Sequence, residues 1–160
     1  MKNVCQFEIR KIQTIRNNIL FDFFINDVQL SKLLNIDRLQ DLRFSYFDLD
    51  LIEIDKLKFP QYDVLKFKKR AINIYLCNEK PNNQFETDRI VLYRCHCGSD
   101  YCGVISCEID FDSDYFYWSD IRFEDDNNNT HPDTKLIKML KFKRKNYEAA
   151  FKNFLKKYYT

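Results

Sequence analysis

Apolar and polar residues alternate along several stretches of the chain, with the period of two that is typical of half-buried β-strands. Residues 4–16 follow this pattern and predict a first strand. A second strand is predicted over residues 19–25, where four apolar side chains share one face: Ile19, Phe21, Phe23 and Ile25. A tight turn is expected at Asn17–Asn18 and another at Asn26–Asp27, because asparagine and aspartate tolerate a positive φ.

Three stretches favour helices instead. We expect Ser31 to cap a short helix that continues through Leu34. Residues 62–76 place their apolar side chains on one helical face, whereas residues 44–59 mix both periods and predict no definite element. The end of the chain predicts a C-terminal helix, because apolar residues recur there at intervals of three and four. These residues are Tyr147, Ala150, Phe151, Phe154, Leu155 and Tyr158.

Strand patterns dominate the region between these helices. Residues 90–94, 104–111 and 115–123 each predict a strand, and the short segment 112–114 joins the last two as an antiparallel hairpin. Residues 125–133 form a polar loop before the final helix. The order of elements predicts a single α+β domain over residues 1–160. Its antiparallel sheet would have about five to six strands, with helices on one face.

Composition excludes several classes of protein. The 160 residues include 16% aromatic residues and only two glycines, which argues against a disordered or linker-rich chain. No stretch is apolar enough to span a membrane, and the N-terminus lacks an apolar signal region, so we expect a cytoplasmic protein. A formal net charge of +2 argues against direct nucleic-acid binding. The many phenylalanines and tyrosines match a bias toward A/T-rich codons, so we expect them to fill the core.

Four of the six cysteines lie between residues 95 and 107, and both glycines of the chain lie there too. The cysteines are Cys95, Cys97, Cys102 and Cys107. Gly98 and Gly103 each follow a cysteine directly. A glycine after a ligand cysteine allows a tight turn in which backbone amides point at sulfur.

This cluster has three interpretations. A zinc knuckle would use Cys95, Cys97 and Cys102, with His96, Cys107 or His131 as the fourth ligand. The single residue between the first two cysteines departs from the usual C-x-x-C pair, however, and favours reduced cysteines packed in a turn. A thiol-dependent enzyme using Cys95 or Cys97 would need a base that no pattern identifies. We therefore expect no cofactor, with zinc as the alternative.

The segment LYRCHCGSDYCGVIS, followed by YWSDIRFED, resembles a family of small bacterial cytosolic proteins. Their pattern reads LYxCxxCGDxxCG, followed by a strand that ends in WxDF or WxDxxxE. FFINDVQLSKLL and FKRKNYEAAFKNFL resemble the family's upstream and closing segments, but residues 37–85 do not. This chain has one residue fewer between Cys95 and Cys97, and the aspartate of the pattern is displaced to Asp100.

The family has no assigned reaction. By association, the resemblance implies a compact cytosolic domain of the size found among immunity proteins of bacterial toxin systems, such as those of contact-dependent growth inhibition. The chain has no nucleotide-binding, GxSxG or HExxH motif that would favour an enzyme. We expect a non-enzymatic immunity protein that neutralises a cognate toxin, for example a nuclease. The alternative is a small zinc-binding regulatory or interaction domain that uses the 95–107 cluster.

Charge is distributed unevenly over the last third of the chain. Residues 108–133 contain nine acids and one base, whereas residues 134–160 contain nine bases and one acid. The acidic hairpin predicts a docking surface for a basic toxin domain, because complementary charge speeds association. The alternative is that the two regions are solvated and partly neutralise each other. The predicted partner-binding residues are Asp110, Asp112, Asp114, Tyr115, Tyr117, Asp120 and Glu124.

Overall fold

The structure, a computed structural model, describes residues 3–15, 18–36, 43–44, 64–95, 97, 99–127 and 133–159. These residues form an α+β fold, which confirms the predicted class and the C-terminal helix. The strands are β1 (Phe7–Ile15), β2 (Asn18–Ile25), β3 (Val28–Gln29), β4 (Arg43–Phe44), β5 (Ile90–Cys95), β6 (Val104–Phe111), β7 (Tyr115–Glu124) and β8 (Ile137–Lys143). The helices are α1 (Leu30–Leu33), α2 (Val64–Tyr75) and α3 (Arg144–Tyr159).

The strands of the described residues divide between two antiparallel sheets, whereas the sequence predicted one sheet of about five to six strands. One has the order β1-β2-β3, and the other has the order β4-β5-β6-β7-β8. A parallel bridge between Cys5 and Phe142 links the two, and the Cys5 N–H donates to the Lys141 carbonyl over 2.7 Å. The larger sheet gains its last strand from β8, which sequence analysis did not assign.

The sequence prediction is confirmed at the turn Asn26–Asp27 and is wrong at the start of α1. Asn26 and Asp27 adopt φ values of 49° and 65°, which confirms the tight turn. The predicted cap at Ser31 is wrong, because Gln29 precedes the helix and Ser31 lies buried inside it. The Ser31 hydroxyl instead accepts a hydrogen bond of 3.0 Å from the Gln29 side-chain amide.

Two other local predictions are confirmed. Helix α2 lies within the predicted span 62–76, and the hairpin of β6 and β7 has its turn at residues 112–114. The predicted turn at Asn17–Asn18 includes Asn17, which lies outside the described residues, as do residues 45–63. Among the described helices, none has the length and apolar character required to cross a membrane.

Aromatic side chains fill the core between the sheets and α3, as the sequence predicted. Trp118 on β7 is fully buried, and its indole N–H donates to the Tyr147 hydroxyl over 2.9 Å. That hydroxyl donates in turn to the carbonyl of Tyr75 at the end of α2. The rings of Phe7 and Phe23 both lie 5.4 Å from that of Trp118. The inner face of β7 is thus fixed, and its outer face is free to carry polar groups.

Candidate functional site

Two regions gather the residues that the sequence singled out. The cysteine corner, defined here as Cys95, Cys97 and Cys102, joins β5 to β6. The acidic hairpin consists of β6, β7 and the turn between them. It has a tip, defined as residues 110–117, and a root, where the carboxylates of Glu108, Asp120 and Glu124 lie.

The cysteine corner brings three thiols together. Cys95 ends β5 and is half-buried, whereas Cys97 and Cys102 are exposed. The Cys97 and Cys102 sulfurs are 3.6 Å apart, and all three sulfurs lie within 4.8 Å of one another. The backbone N–H of Ser99 donates to the Cys97 sulfur over 3.4 Å. This hydrogen bond is the main cause of the lowered pKa of Cys97.

The turn that carries Cys102 is attached to the preceding loop. Asp100 is fully buried and exchanges two hydrogen bonds of 2.8 Å with Gln84. The Arg94 guanidinium lies 3.4 Å from the other carboxylate oxygen of Asp100, and the Tyr101 hydroxyl donates to the Gln84 carbonyl. These contacts hold the turn that carries Cys102 at the end of β5.

The local structure explains why position 103 is one of the two glycines of the chain. Its φ is +112°, and a Cβ atom there would lie 2.5 Å from the ring of Phe123. Any other residue would therefore strain the backbone and displace the ring. The turn between Cys102 and β6 requires glycine at this position.

The structure does not bring Cys107, one of the predicted metal ligands, together with the other three cysteines. Its side chain lies on the inner face of β6 and is fully buried in the hydrophobic core, and burial raises the pKa of its thiol. The period of two along β6 explains the placement, because Cys107 shares its face with buried apolar residues. The other candidate ligands, His96 and His131, lie outside the described residues.

The tip of the hairpin carries five of the predicted partner-binding residues. Asp110, Asp112 and Asp114 are exposed, and Tyr115 and Tyr117 are half-buried with ring centroids 6.3 Å apart. Within the described part of the chain, no lysine or arginine nitrogen approaches the three tip carboxylates to within 4 Å. The tip is therefore negatively charged and carries aromatic surface.

Asp112 shapes the turn in addition to carrying charge. One carboxylate oxygen accepts hydrogen bonds of 2.8 Å from the N–H groups of Asp114 and Tyr115. The other accepts a 2.7 Å hydrogen bond from the Tyr117 hydroxyl. The Tyr117 bond is the main cause of the lowered pKa of Asp112, and it raises the pKa of Tyr117 to about 12.

Basic residues lie behind the tip without covering its carboxylates. Arg144, the first residue of α3, donates from its backbone N–H to the Asp114 carbonyl and from its guanidinium to the Asp112 carbonyl. The Lys141 ammonium lies 3.8 Å from the centre of the Tyr115 ring, a cation–π contact. Arg144 therefore stabilises the turn, and Lys141 orients a tyrosine.

The root of the hairpin is organised by Arg89, a residue that sequence analysis did not single out. Its guanidinium is 8% exposed and donates to the Asp120 carboxylate over 3.0 Å. It also donates to the side-chain and backbone oxygens of Ser106. Glu108 and Glu124 lie 3.5 and 3.7 Å from the same group.

A bulge in β7 brings Asp120 to this arginine. Ser106 pairs with Arg122 but Glu108 pairs with Ser119, so β7 has one extra residue between these pairs. Asp120 takes a φ of +49° there, and its carbonyl also accepts a 2.5 Å hydrogen bond from Arg89. Two of the predicted partner-binding residues, Asp120 and Glu124, are thus already paired within the chain.

A register argument could have found Arg89. Ile90 pairs with Cys107 across β5 and β6, so continuing this antiparallel register by one residue sets Arg89 opposite Glu108. Its contacts with Asp120 and Glu124 on β7 carry no local signal in the sequence.

A comparison of the chain with protein-family models, curated proteins and solved structures found no match. The resemblance of the cysteine motif to a bacterial family therefore stays a prediction.

Proposed function

We propose that this protein is a non-catalytic cytoplasmic immunity protein that binds a basic toxin domain through the tip of its acidic hairpin. The observation that carries the proposal is that only some of the hairpin's acids are paired with a cation. Arg89 pairs the carboxylates at the root, while the three at the tip stay exposed beside two tyrosines.

Charge at the tip suits rapid recognition of a basic surface. Exposed carboxylates in water contribute little to the stability of the fold but attract an oppositely charged partner over a Debye length, about 8 Å at physiological salt. Asp110 lies directly opposite Tyr117 in the strand pairing, so charge and aromatic surface occur side by side. Tyrosine supplies contact area that charge alone does not, and it is common among the residues that dominate binding energy.

The tip is also shaped before any partner binds. Asp112 fixes the turn through three accepted hydrogen bonds, and Arg144 holds it from behind. A preorganised loop loses less conformational entropy on binding, which favours affinity. The proposed surface is therefore Asp110, Asp112, Asp114, Tyr115 and Tyr117, without the paired Asp120 and Glu124.

Affinity capture from the native cell, with identification of the bound protein, tests this proposal. The test variant is Asp110→Lys with Asp114→Lys, which reverses two tip charges and leaves the turn-forming Asp112 intact. The matched control is Asp88→Lys with Asp126→Lys, which makes the same change of charge at exposed positions away from the tip.

The expected partner is toxic when expressed alone and harmless when expressed with the wild-type protein. Wild type and control should retain this partner and protect cells, while the tip variant should lose both properties. Equal capture and protection by a folded tip variant would reject the proposed surface. A captured partner without toxicity would reject the immunity function.

A further inference from the structure

The three thiols of the cysteine corner lie at separations that match a metal-bound state. Zinc holds thiolate sulfur at about 2.3 Å in a tetrahedron, which sets neighbouring sulfurs about 3.8 Å apart. The Cys97 and Cys102 sulfurs are 3.6 Å apart, and the Cys95 sulfur lies within 4.8 Å of both. A disulfide would need about 2.05 Å. The observed spacing is thus too long for a bond between the sulfurs and close to that of shared ligands.

We propose that Cys95, Cys97 and Cys102 bind one zinc ion through three thiolates and leave the fourth position of the tetrahedron to another ligand. Thiolates are soft ligands, and a set of three selects zinc over magnesium, calcium or manganese. The exposure of Cys97 and Cys102 gives the ion a path into the site.

The surroundings of the thiols support a built site. The hydrogen bonds between Asp100 and Gln84 fix the turn that carries Cys102, and Gly103 permits its close approach to Phe123. The Ser99 N–H donates to the Cys97 sulfur in the way that backbone amides support metal-bound thiolates. Contacts other than the metal therefore fix the turn that carries Cys102 and give the Cys97 sulfur a backbone donor.

The remaining cysteines provide internal controls. Cys107 is buried in the core, and the half-buried Cys77 directs its thiol to the Ile109 carbonyl. Cys5 lies near the start of the chain and itself forms the strand bridge to Phe142. Neither Cys5 nor Cys77 belongs to the three-sulfur group, so their removal should leave zinc binding unchanged.

Metal analysis of the full chain, purified under reducing conditions without chelator, tests this inference. We expect one zinc per chain in the wild type and in Cys5→Ser. Cys97→Ser and Cys102→Ser should lose the metal while circular dichroism shows that they remain folded. Metal-free wild type should take up Co²⁺ with the sulfur-to-cobalt charge-transfer absorption of thiolate ligands.

A second measurement does not depend on the stability of the serine variants. Zinc added to the metal-free wild type should slow alkylation of Cys97 and Cys102, followed by mass spectrometry, and leave alkylation of Cys5 unchanged. Protein that neither contains nor takes up zinc or Co²⁺, or a Cys97–Cys102 disulfide that persists under reducing conditions, would overturn the proposal. Copper(I) in place of zinc would also overturn it. None of these readouts involves the hairpin, so they are independent of the proposed toxin binding.

Discussion

The root and the tip of the acidic hairpin each carry three acids but have different physical roles. At the root, an arginine from outside the hairpin pairs the carboxylates and is itself nearly buried. At the tip, the carboxylates face solvent, and Asp112 bonds mainly within its own turn. Acids that are close in sequence therefore need not form one surface, because a single arginine from another part of the chain can pair some of them and leave the others exposed.

The difference also limits the proposed binding surface to one end of the hairpin. At the root, Arg89 reduces the repulsion among the close carboxylates. Arg122 is a second cation there, with its guanidinium 3.5 Å from the Asp120 carboxylate. Among the described acids of the hairpin, only those of the tip lie beyond 4 Å of a lysine or arginine nitrogen. The proposed binding of a basic partner thus depends on the tip alone, and the root and the tip of the hairpin can be tested separately.

Removal of Arg89 should give the largest effect. Arg89→Met should lower the free energy of unfolding by about 3 kcal/mol, because it removes the donor to the buried Ser106 oxygens and to the Asp120 carboxylate. Urea denaturation measures the change. Arg122→Met is the control, since its pair with Asp120 is half-exposed and should be worth less than about 1 kcal/mol. Equal midpoints for the two variants would mean that the root is not held by Arg89.

Removal of the turn-forming carboxylate at the tip should have a smaller effect. Asp112→Ala loses three accepted hydrogen bonds and should lower the urea midpoint, but by less than Arg89→Met. Asp114→Ala is the matched control, because its side chain makes none of these bonds, and its midpoint should equal that of wild type. An unchanged midpoint for Asp112→Ala would show that the turn forms without its carboxylate.

The smallest effect concerns protonation at the tip. Asp112 raises the pKa of Tyr117 to about 12, so the stabilisation from this bond is fully present below the unfolded tyrosine pKa of about 10 and is lost as pH rises through about 12. On the acid side, the lowered pKa of Asp112 makes its contribution disappear as pH falls through that lowered value.

Carbon-13 NMR of labelled tyrosine, with Tyr117→Phe to assign the resonance, follows the titration directly. In Asp112→Asn, the pKa of Tyr117 should fall toward about 10. A Tyr117 pKa that is the same in wild type and Asp112→Asn would show that the hydrogen bond does not form in solution.

Local patterns predicted much of this fold, and long-range contacts account for the errors. Helix α3 and β7, up to its bulge, were predictable because each buries one face at a regular period, and β6 was predictable because apolar and polar residues alternate along its sequence. Strand β8 was missed because lysines occur on both of its faces and obscure the alternation. The predicted cap at Ser31 was wrong because its hydroxyl accepts a hydrogen bond from the Gln29 side-chain amide and not from a backbone N–H.

The two candidate regions differ in the same way. The cysteine corner spans eight residues of sequence, so its convergence could be predicted locally, whereas Cys107 lies apart from it in the hydrophobic core. The tip was predictable from the hairpin pattern. The pairing at the root was not, because Arg89 comes from another strand boundary and reaches Asp120 only through a bulge in β7.

The association rate constant of the captured toxin domain, measured against salt concentration, tests most directly whether the tip is the binding surface. Asp110→Lys with Asp114→Lys should slow association about tenfold or more at low salt, because two attractive charges become repulsive. The deficit should shrink as salt rises, and Asp88→Lys with Asp126→Lys should stay close to wild type. If the tip variant is folded and associates at the wild-type rate at every salt concentration, the partner binds elsewhere.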